Sequence, residues 1–392
     1  MTSILNKIKS LSEEYFEDVI RIRKHLHKHP ELSFEEFETS KFICQELDKI
    51  GVDYETGIVK TGIVVLLKGK NPDSKVRMLR ADMDALPILE DSNKDYKSCN
   101  PGVMHACGHD VHTSSLLGAI RILNELKSEW EGTIKCIFQP GEEKLPGGAS
   151  LMIKEGVLEN PKPTEIYGQH VFPELTAGKI GLKPGLYMAS ADELYFTVKG
   201  IGGHAATPHL NVDPILIASH IVVALQQVTS RIANAGIPTV LSIGDIQGHG
   251  ATNVIPSEVK MKGTFRTLDE KWRFDAHDRI KEIAKGIAKS MGGTCEAEVK
   301  VGYPFVINDE KLTLKAKSKA IEYLGEENVI DLPIRMTGED FSYFSQAMPG
   351  VFYRLGTASE DGCNEVAVHN PKFDIDHRAL KTGMGLMAWL AI

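Results

Sequence analysis

The chain reads as an α/β protein interrupted by a smaller α+β insertion, and three observations carry that reading. Short apolar runs bounded by Gly, Pro and Asp alternate with stretches of helical periodicity in the first half and again near the end. From about residue 186 to 300 the order changes to strand, helix, strand, strand, helix, strand. At 392 residues the chain is also too long for one ordinary core. Two domains are expected: one from 1–185 with 301–392, the other from 186–300.

Taken in order, Ile8, Leu11, Phe16, Val19, Ile20 and Leu26 recur at helical spacing, so 8–26 reads as a helix. A second helix opens at Ser33, with Glu36 as its capping-box partner and Gly51 closing it. Gly62-Ile-Val-Val-Leu-Leu and Val76-Arg-Met-Leu read as strands. In 113–130, Leu116, Leu117, Ile120, Leu123 and Leu126 share one side of a helix. Thr133-Ile-Lys-Cys-Ile-Phe and Glu165-Ile-Tyr-Gly are further strands. Within the insertion, strands are expected at 194–199, 239–246, 258–266 and 295–301, with helices at 214–232 and 269–291. That βαββαβ order is the ferredoxin-like pattern. Gly350-Val-Phe-Tyr-Arg-Leu-Gly then resumes the α/β layer as a strand, and 380–390 closes the chain as a helix.

Composition narrows the function. The chain is 42% hydrophobic and 25% charged, as in soluble globular proteins, and a net charge of −8 argues against a nucleic-acid binder. The charged N-terminus has no signal-peptide core, and no stretch approaches the roughly 18 apolar residues of a membrane helix. The six cysteines, Cys44, Cys99, Cys107, Cys136, Cys295 and Cys363, lack framework spacing and read as reduced thiols. A cytoplasmic location is therefore expected, with neither nucleic acid nor membrane as partner.

Candidate ligands lie beside the expected strands, mostly at carboxyl ends, where open α/β sheets bind. Val76–79 runs into Asp82 and Asp84, 133–138 into the pair Glu142-Glu143, and 165–168 into His170. Cys107-Gly-His109-Asp110-Val-His112 lies in the loop opening the helix at Thr113. Thiolate, imidazole and carboxylate are the side chains that hold zinc and its first-row neighbours. Of two adjacent carboxylates, one can ligate while the other takes a proton from activated water. Each cluster alone also has an ordinary structural explanation, such as a solvated acid pair or a hydrogen-bonded core histidine.

The sequences Met104-His-Ala-Cys-Gly-His-Asp-Val-His112, Arg80-Ala-Asp-Met-Asp-Ala-Leu-Pro87 and Gln139-Pro-Gly-Glu-Glu143 resemble the metal-dependent amidohydrolases related to hippurate hydrolase. So do Gly202-Gly-His-Ala-Ala-Thr-Pro-His209, Thr337-Gly-Glu-Asp-Phe341 and the opening Arg23-Lys-His-Leu-His-Lys-His-Pro-Glu-Leu-Ser33. Auxin-conjugate hydrolases, N-acetyldiaminopimelate deacetylases and bacterial aminoacylases belong to the same group. The resemblance covers nearly the whole chain and implies a zinc-peptidase-like catalytic domain with an inserted lid or dimerisation domain. It implies two divalent metal ions per chain, Mn2+ or Zn2+, on Cys107, His109, Glu143, His170 and His369, with Cys107 bridging. Glu142 matches the general base, and Asp84 the carboxylate that orients a ligand histidine. The position two residues before Asp84, a histidine in more distant relatives, is Asp82 here. In the lid His204 matches the residue that polarises the scissile carbonyl, often across a homodimer, while Asn253 and Arg266 match holders of the substrate carboxylate.

The implied reaction is hydrolysis of an N-acyl amino acid or dipeptide. A dipeptidase or carboxypeptidase is the alternative on the same scaffold. A thiol hydrolase, with Cys107 as nucleophile and His109 or His112 as base, would leave Glu142, Glu143, His170 and His369 unemployed. An inactive binding protein is the remaining rival.

Overall fold

The computed structural model describes residues 3–362 and 366–392; Cys363 lies outside the described residues. Helices α1 (Ile4–Glu14), α2 (Phe16–Lys28) and α3 (Phe37–Ile50) precede strands β1 (Tyr54–Ile58), β2 (Gly62–Lys68) and β3 (Val76–Asp82). Next come α4 (His109–Glu125), β4 (Thr133–Gln139), α5 (Gly148–Lys154), β5 (Glu165–Thr176), β6 (Ile180–Leu182) and β7 (Gly185–Met188). The middle of the chain holds β8 (Ala191–Lys199), β9 (Gly203–His204), α6 (Pro214–Gln227) and β10 (Thr239–Gln247). β11 (Val254–Ile255), β12 (Glu258–Thr267), α7 (Glu270–Ser290) and β13 (Thr294–Tyr303) follow. The last elements are β14 (Val306–Asn308), α8 (Glu310–Leu324), β15 (Val329–Asp331), α9 (Ser342–Ala347), β16 (Gly350–Ala358) and α10 (Arg378–Leu390).

These elements form two compact units. The first takes the chain up to Tyr187, then Ile307–Pro333 and Asp340–Ile392. Its eight-stranded sheet has the order β1-β2-β4-β3-β5-β16-β6-β15. The central strands β4, β3, β5 and β16 run parallel, with β2 antiparallel to β4. β4 and β16 lie inside the sheet and are buried along their whole length, including the polar Lys135, Gln139 and Arg354. One core joins Leu116, Leu117, Ile120 and Leu123 of α4 to Leu380, Met384 and Met387 of α10 and to Leu79, Phe138 and Leu355 of the sheet.

Four sequence expectations are corrected here. The helix at 8–26 is two helices meeting at Tyr15, whose ψ near 0° interrupts the regular turn. The capping box does not form: α3 begins at Phe37, with Glu36 at the cap position but making no cap bond, and Ser33 bonds Asp84 instead. Helix α4 begins at His109, so His109 and His112 lie in its first turn rather than in a loop. Strand β5 continues to Thr176, which puts His170 inside it.

The second unit comprises Met188–Val306 and Ile334–Glu339. The latter segment, expected in the first domain, joins this one by a bridge from Met188 to Arg335 and by Gly338 packing against Ala191 and Arg266. Its sheet has the order β10-β12-β8-β13, all antiparallel, which is the ferredoxin-like arrangement. Leu194, Phe196 and Val198 of β8 pack with Ile217, Ile221 and Leu225 of α6 and Ile280 and Ala284 of α7. Contrary to the sequence reading, the helical run Pro214–Ile232 is long and apolar enough, by length and composition, to cross a bilayer. One stripe of it fills this core, while Ile215, Leu216 and Val223 are exposed.

Candidate metal centre

The ends of β3 and β4, the inner part of β5 and the start of α4 bring the expected ligands of the first unit together. Ligand atoms of Cys107, His109 and His170 lie within 4.8 Å of one another, as do those of Cys107, Glu143 and His369 and those of His109, Glu142 and Glu143. Cys107 belongs to two of the three groups. Its Sγ is 3.4 Å from His170 Nε2. His369 Nε2 is 3.2 Å from Glu143 Oε1.

The backbone makes this convergence by close approach. Gly108 caps α4 with φ of 81°, and a Cβ there would fall 2.5 Å from Val171, beside His170 on β5. Only glycine combines that φ with that gap. His369 also sits in the left-handed region, at φ 64°, and its amide donates to the Ala106 carbonyl at 2.7 Å, next to Cys107.

Several of the expected ligands are oriented by a further group. His170 Nδ1 bonds the Val171 carbonyl at 2.8 Å, so Nε2 is the nitrogen turned toward Cys107. His109 Nδ1 meets Asp84 Oδ1 at 3.2 Å, leaving its buried Nε2 without a hydrogen-bond partner. Glu143 Oε1 is likewise buried, and faces His369 Nε2, another expected donor, at 3.2 Å. Asp84 also accepts from the amides of Glu142 and Glu143 at 3.1 and 3.0 Å and from Ser33 Oγ at 2.6 Å. Asp84 thus fixes both members of the carboxylate pair as well as His109.

His112 is placed differently. Its Nε2 accepts from the Val171 amide at 2.9 Å, and its Nδ1 bonds Asp82. Both nitrogens are engaged, which removes it as the base of a thiol mechanism. Asp82 in turn pairs with the fully buried Arg80, which also holds Gln139 and Asp340. The Asp340 amide donates to Glu142 Oε1 at 3.3 Å.

The electrostatics favour a cation. Burial raises the Cys107 thiol well above its usual range, and Glu143, Glu142 and Asp82 raise it further. Burial would lower His109, but Asp82, Asp84 and Glu143 outweigh it and push it up to about 10. Burial holds His170 well below the usual imidazole value, with Arg354 adding to the effect. An unpaired buried nitrogen, a neutral imidazole, a thiol and surplus carboxylate form a donor set suited to divalent zinc or manganese.

The remaining expected residues belong to the second unit. His204 and Asn253 meet in the small β9–β11 pairing, where the Ala205 amide donates to the Asn253 carbonyl at 3.0 Å. His204 Nδ1 accepts from the Ala206 amide at 3.0 Å, which leaves the proton on Nε2. Arg266 is half-buried on β12, and Thr264 is its hydrogen-bond partner at 3.0 Å, with no carboxylate pair among the described residues. Sequence reasoning missed Glu36, Ser33 and Asp340 as supports. The last two lay inside quoted motifs, but nothing in their identity distinguished a brace from a cap or turn residue.

Residues 78–391 match the model of peptidase family M20/M25/M40. The chain is 38% identical over 387 residues to IAA-amino acid hydrolase ILR1-like 5 of Arabidopsis thaliana, covering 97% of this chain and 87% of that protein. It is 38% identical over 375 residues to N-acetylcysteine deacetylase of Bacillus subtilis, covering 95% and 96%. The crystal structure of Bacillus subtilis YXEP, described as a dinuclear metal-binding peptidase, superposes with a TM-score of 0.80 at 34% identity, covering 97% and 98%. Fold and site together define a metal-dependent amidohydrolase. The chain belongs to peptidase family M20/M25/M40.

Proposed function

We propose that this chain hydrolyses the amide bond of N-acyl amino acids, using two divalent metal ions on Cys107, His109, Glu143, His170 and His369. The observation that carries this reading is the convergence of five donors, among which the buried His109 Nε2 has no hydrogen-bond partner among the described residues. Mn2+ or Zn2+ bound there would supply Lewis acidity, lowering the pKa of water and polarising a carbonyl. Glu142 takes the proton of the attacking water and delivers it to the leaving amine. Its carboxylate is aimed by the Asp340 amide and by Asp84 through its own amide. His204, whose Nδ1 accepts from the Ala206 amide, offers its Nε2–H as a donor to the developing oxyanion.

Arg266 supports an acidic substrate terminus, since a half-buried guanidinium with no carboxylate pair among the described residues suits bidentate recognition. The acyl-amide substrate class follows two relatives, one named for IAA-amino acids and the other for N-acetylcysteine. The exposed Ile215, Leu216 and Val223 on α6 support pairing of two chains through the second unit. The test separates the carboxylates. Glu142→Gln should retain metal near the wild-type level while turnover falls about a thousandfold, the middle of the range for loss of a general base. Glu143→Gln should lose both. Equal metal loss in the two purified variants would sink this division of roles.

A further inference from the structure

The turn between α2 and α3 carries groups that the reaction above does not use. Glu36 is fully buried and occupies the N-cap position of α3, yet its carboxylate makes no capping bond. Its Oε1 accepts instead from the Phe34 and Gly141 amides at 2.8 and 2.9 Å, and its Oε2 from Thr61 Oγ1 at 2.8 Å. The next two amides along the chain, those of Glu142 and Glu143, donate to Asp84. Three successive N–H groups therefore end on two buried carboxylates. Ser33 Oγ ties the turn to the second carboxylate.

Gly141 explains why such bracing is needed. At φ 61° it has the conformational freedom of glycine, and a rotation there would redirect both carboxylates that follow. A side chain could not restrain it, because a Cβ would fall 2.4 Å from the Phe34 ring. Phe34 itself sits at φ 68°, uncommon for a bulky residue, and is held there in part by the bond of its amide to Glu36. Burying Glu36 and Asp84 next to two further carboxylates is costly, so fold stability alone does not favour this arrangement.

We propose that the turn 33–36, acting chiefly through the Glu36 carboxylate, is a positioning element that fixes the backbone from which Glu142 and Glu143 project. The proposal rests on the functional reading above, in which Glu143 holds metal and Glu142 moves the proton. Glu36→Gln keeps the shape but withdraws the carboxylate acceptor: one amide oxygen must serve the Phe34 and Gly141 N–H groups, and the N–H2 group meets Thr61 Oγ1, whose hydroxyl must turn from donor to acceptor.

The test titrates metal-free wild type, Glu36→Gln and Ser33→Ala with Mn2+ by calorimetry, and measures kcat, KM and thermal midpoints on the metal-loaded proteins. Glu36→Gln should weaken Mn2+ binding about tenfold, the scale of other supports of metal ligands, and lower kcat about tenfold with KM within about twofold. Ser33→Ala should shift both in the same direction by a smaller factor of about three, since it removes one neutral hydrogen bond. Glu36→Asp, which keeps a carboxyl group, should recover part of the loss. Mn2+ affinity and kcat within twofold of wild type would overturn the proposal and leave the turn a structural staple, whatever the midpoints do. If Glu36→Gln does not fold, Ser33→Ala decides by the same criteria. A wild type that binds Mn2+ but cleaves no N-acyl amino acid would sink the functional reading while the affinities still decide this one. A wild type that takes up no metal would sink both.

Discussion

At the residue scale, the role proposed for each ligand follows from what holds its other atoms. His170 and His112 are both buried imidazoles near the same thiol, but only His170 keeps an open nitrogen, because Val171 offers its carbonyl to one ring and its amide to the other. The same logic gives a measurable consequence. With Cys107 raised well above its usual range and His109 raised to about 10, both carry protons near neutrality when no metal is bound. Ligation requires thiolate and a deprotonated imidazole nitrogen, so metal uptake should release about two protons per chain at pH 7.5. Affinity should accordingly rise with pH until those groups would ionise unaided. Calorimetric titration with Zn2+ in buffers of different ionisation enthalpy counts the protons. An enthalpy independent of buffer would show that Cys107 and His109 are not both ligands.

At the element scale, the sequence was legible wherever periodicity decided the answer. The strands β2, β3, β4 and β16 and the βαββαβ order of the second unit follow from short apolar runs between turn residues. Local signals failed where the site had prior use of the same side chains. Ser33 and Glu36 have the spacing of a capping box, but Asp84 takes the hydroxyl and the Gly141 amide takes the carboxylate. A tertiary partner that is buried outbids a local cap exposed at a helix end. Helix α4 starts four residues early because Gly108 can adopt φ 81°, which composition does not reveal. His170 lies within β5 because that strand continues past Gly168 beside β16, a pairing no local pattern encodes. Among the ligands, Cys107, His109, Glu143 and His170 flank elements readable as strand ends or a helix start. His369 stands in an irregular segment, and only the family resemblance pointed to it.

At the scale of the whole molecule, the second unit contributes His204, Asn253 and Arg266 and an exposed apolar stripe on α6. The run Pro214–Ile232 meets the length and composition of a bilayer span, yet Ile217, Ile221, Leu225 and Val228 fill a core with β8 and α7. Its exposed Ile215, Leu216 and Val223 are the residues on which the proposed pairing of two chains rests. If His204 serves its partner's site, chains carrying His204→Ala and chains carrying Glu142→Ala are each inactive alone. Coexpressed in equal amounts with two affinity tags, they should regain about a quarter of wild-type activity, because half the pairs are mixed and each mixed pair has one intact site. Mixed pairs no more active than either parent would place His204 in service of its own chain.

The claim on which the rest depends is that metal held by the five donors is required for amide hydrolysis. It is tested most directly by releasing metal with a chelator, removing the chelator, and following amine release from a panel of N-acyl amino acids as Mn2+ or Zn2+ is returned. The account predicts that hydrolysis disappears with the metal and returns as occupancy approaches two ions per chain. Undiminished hydrolysis by metal-free protein would contradict it.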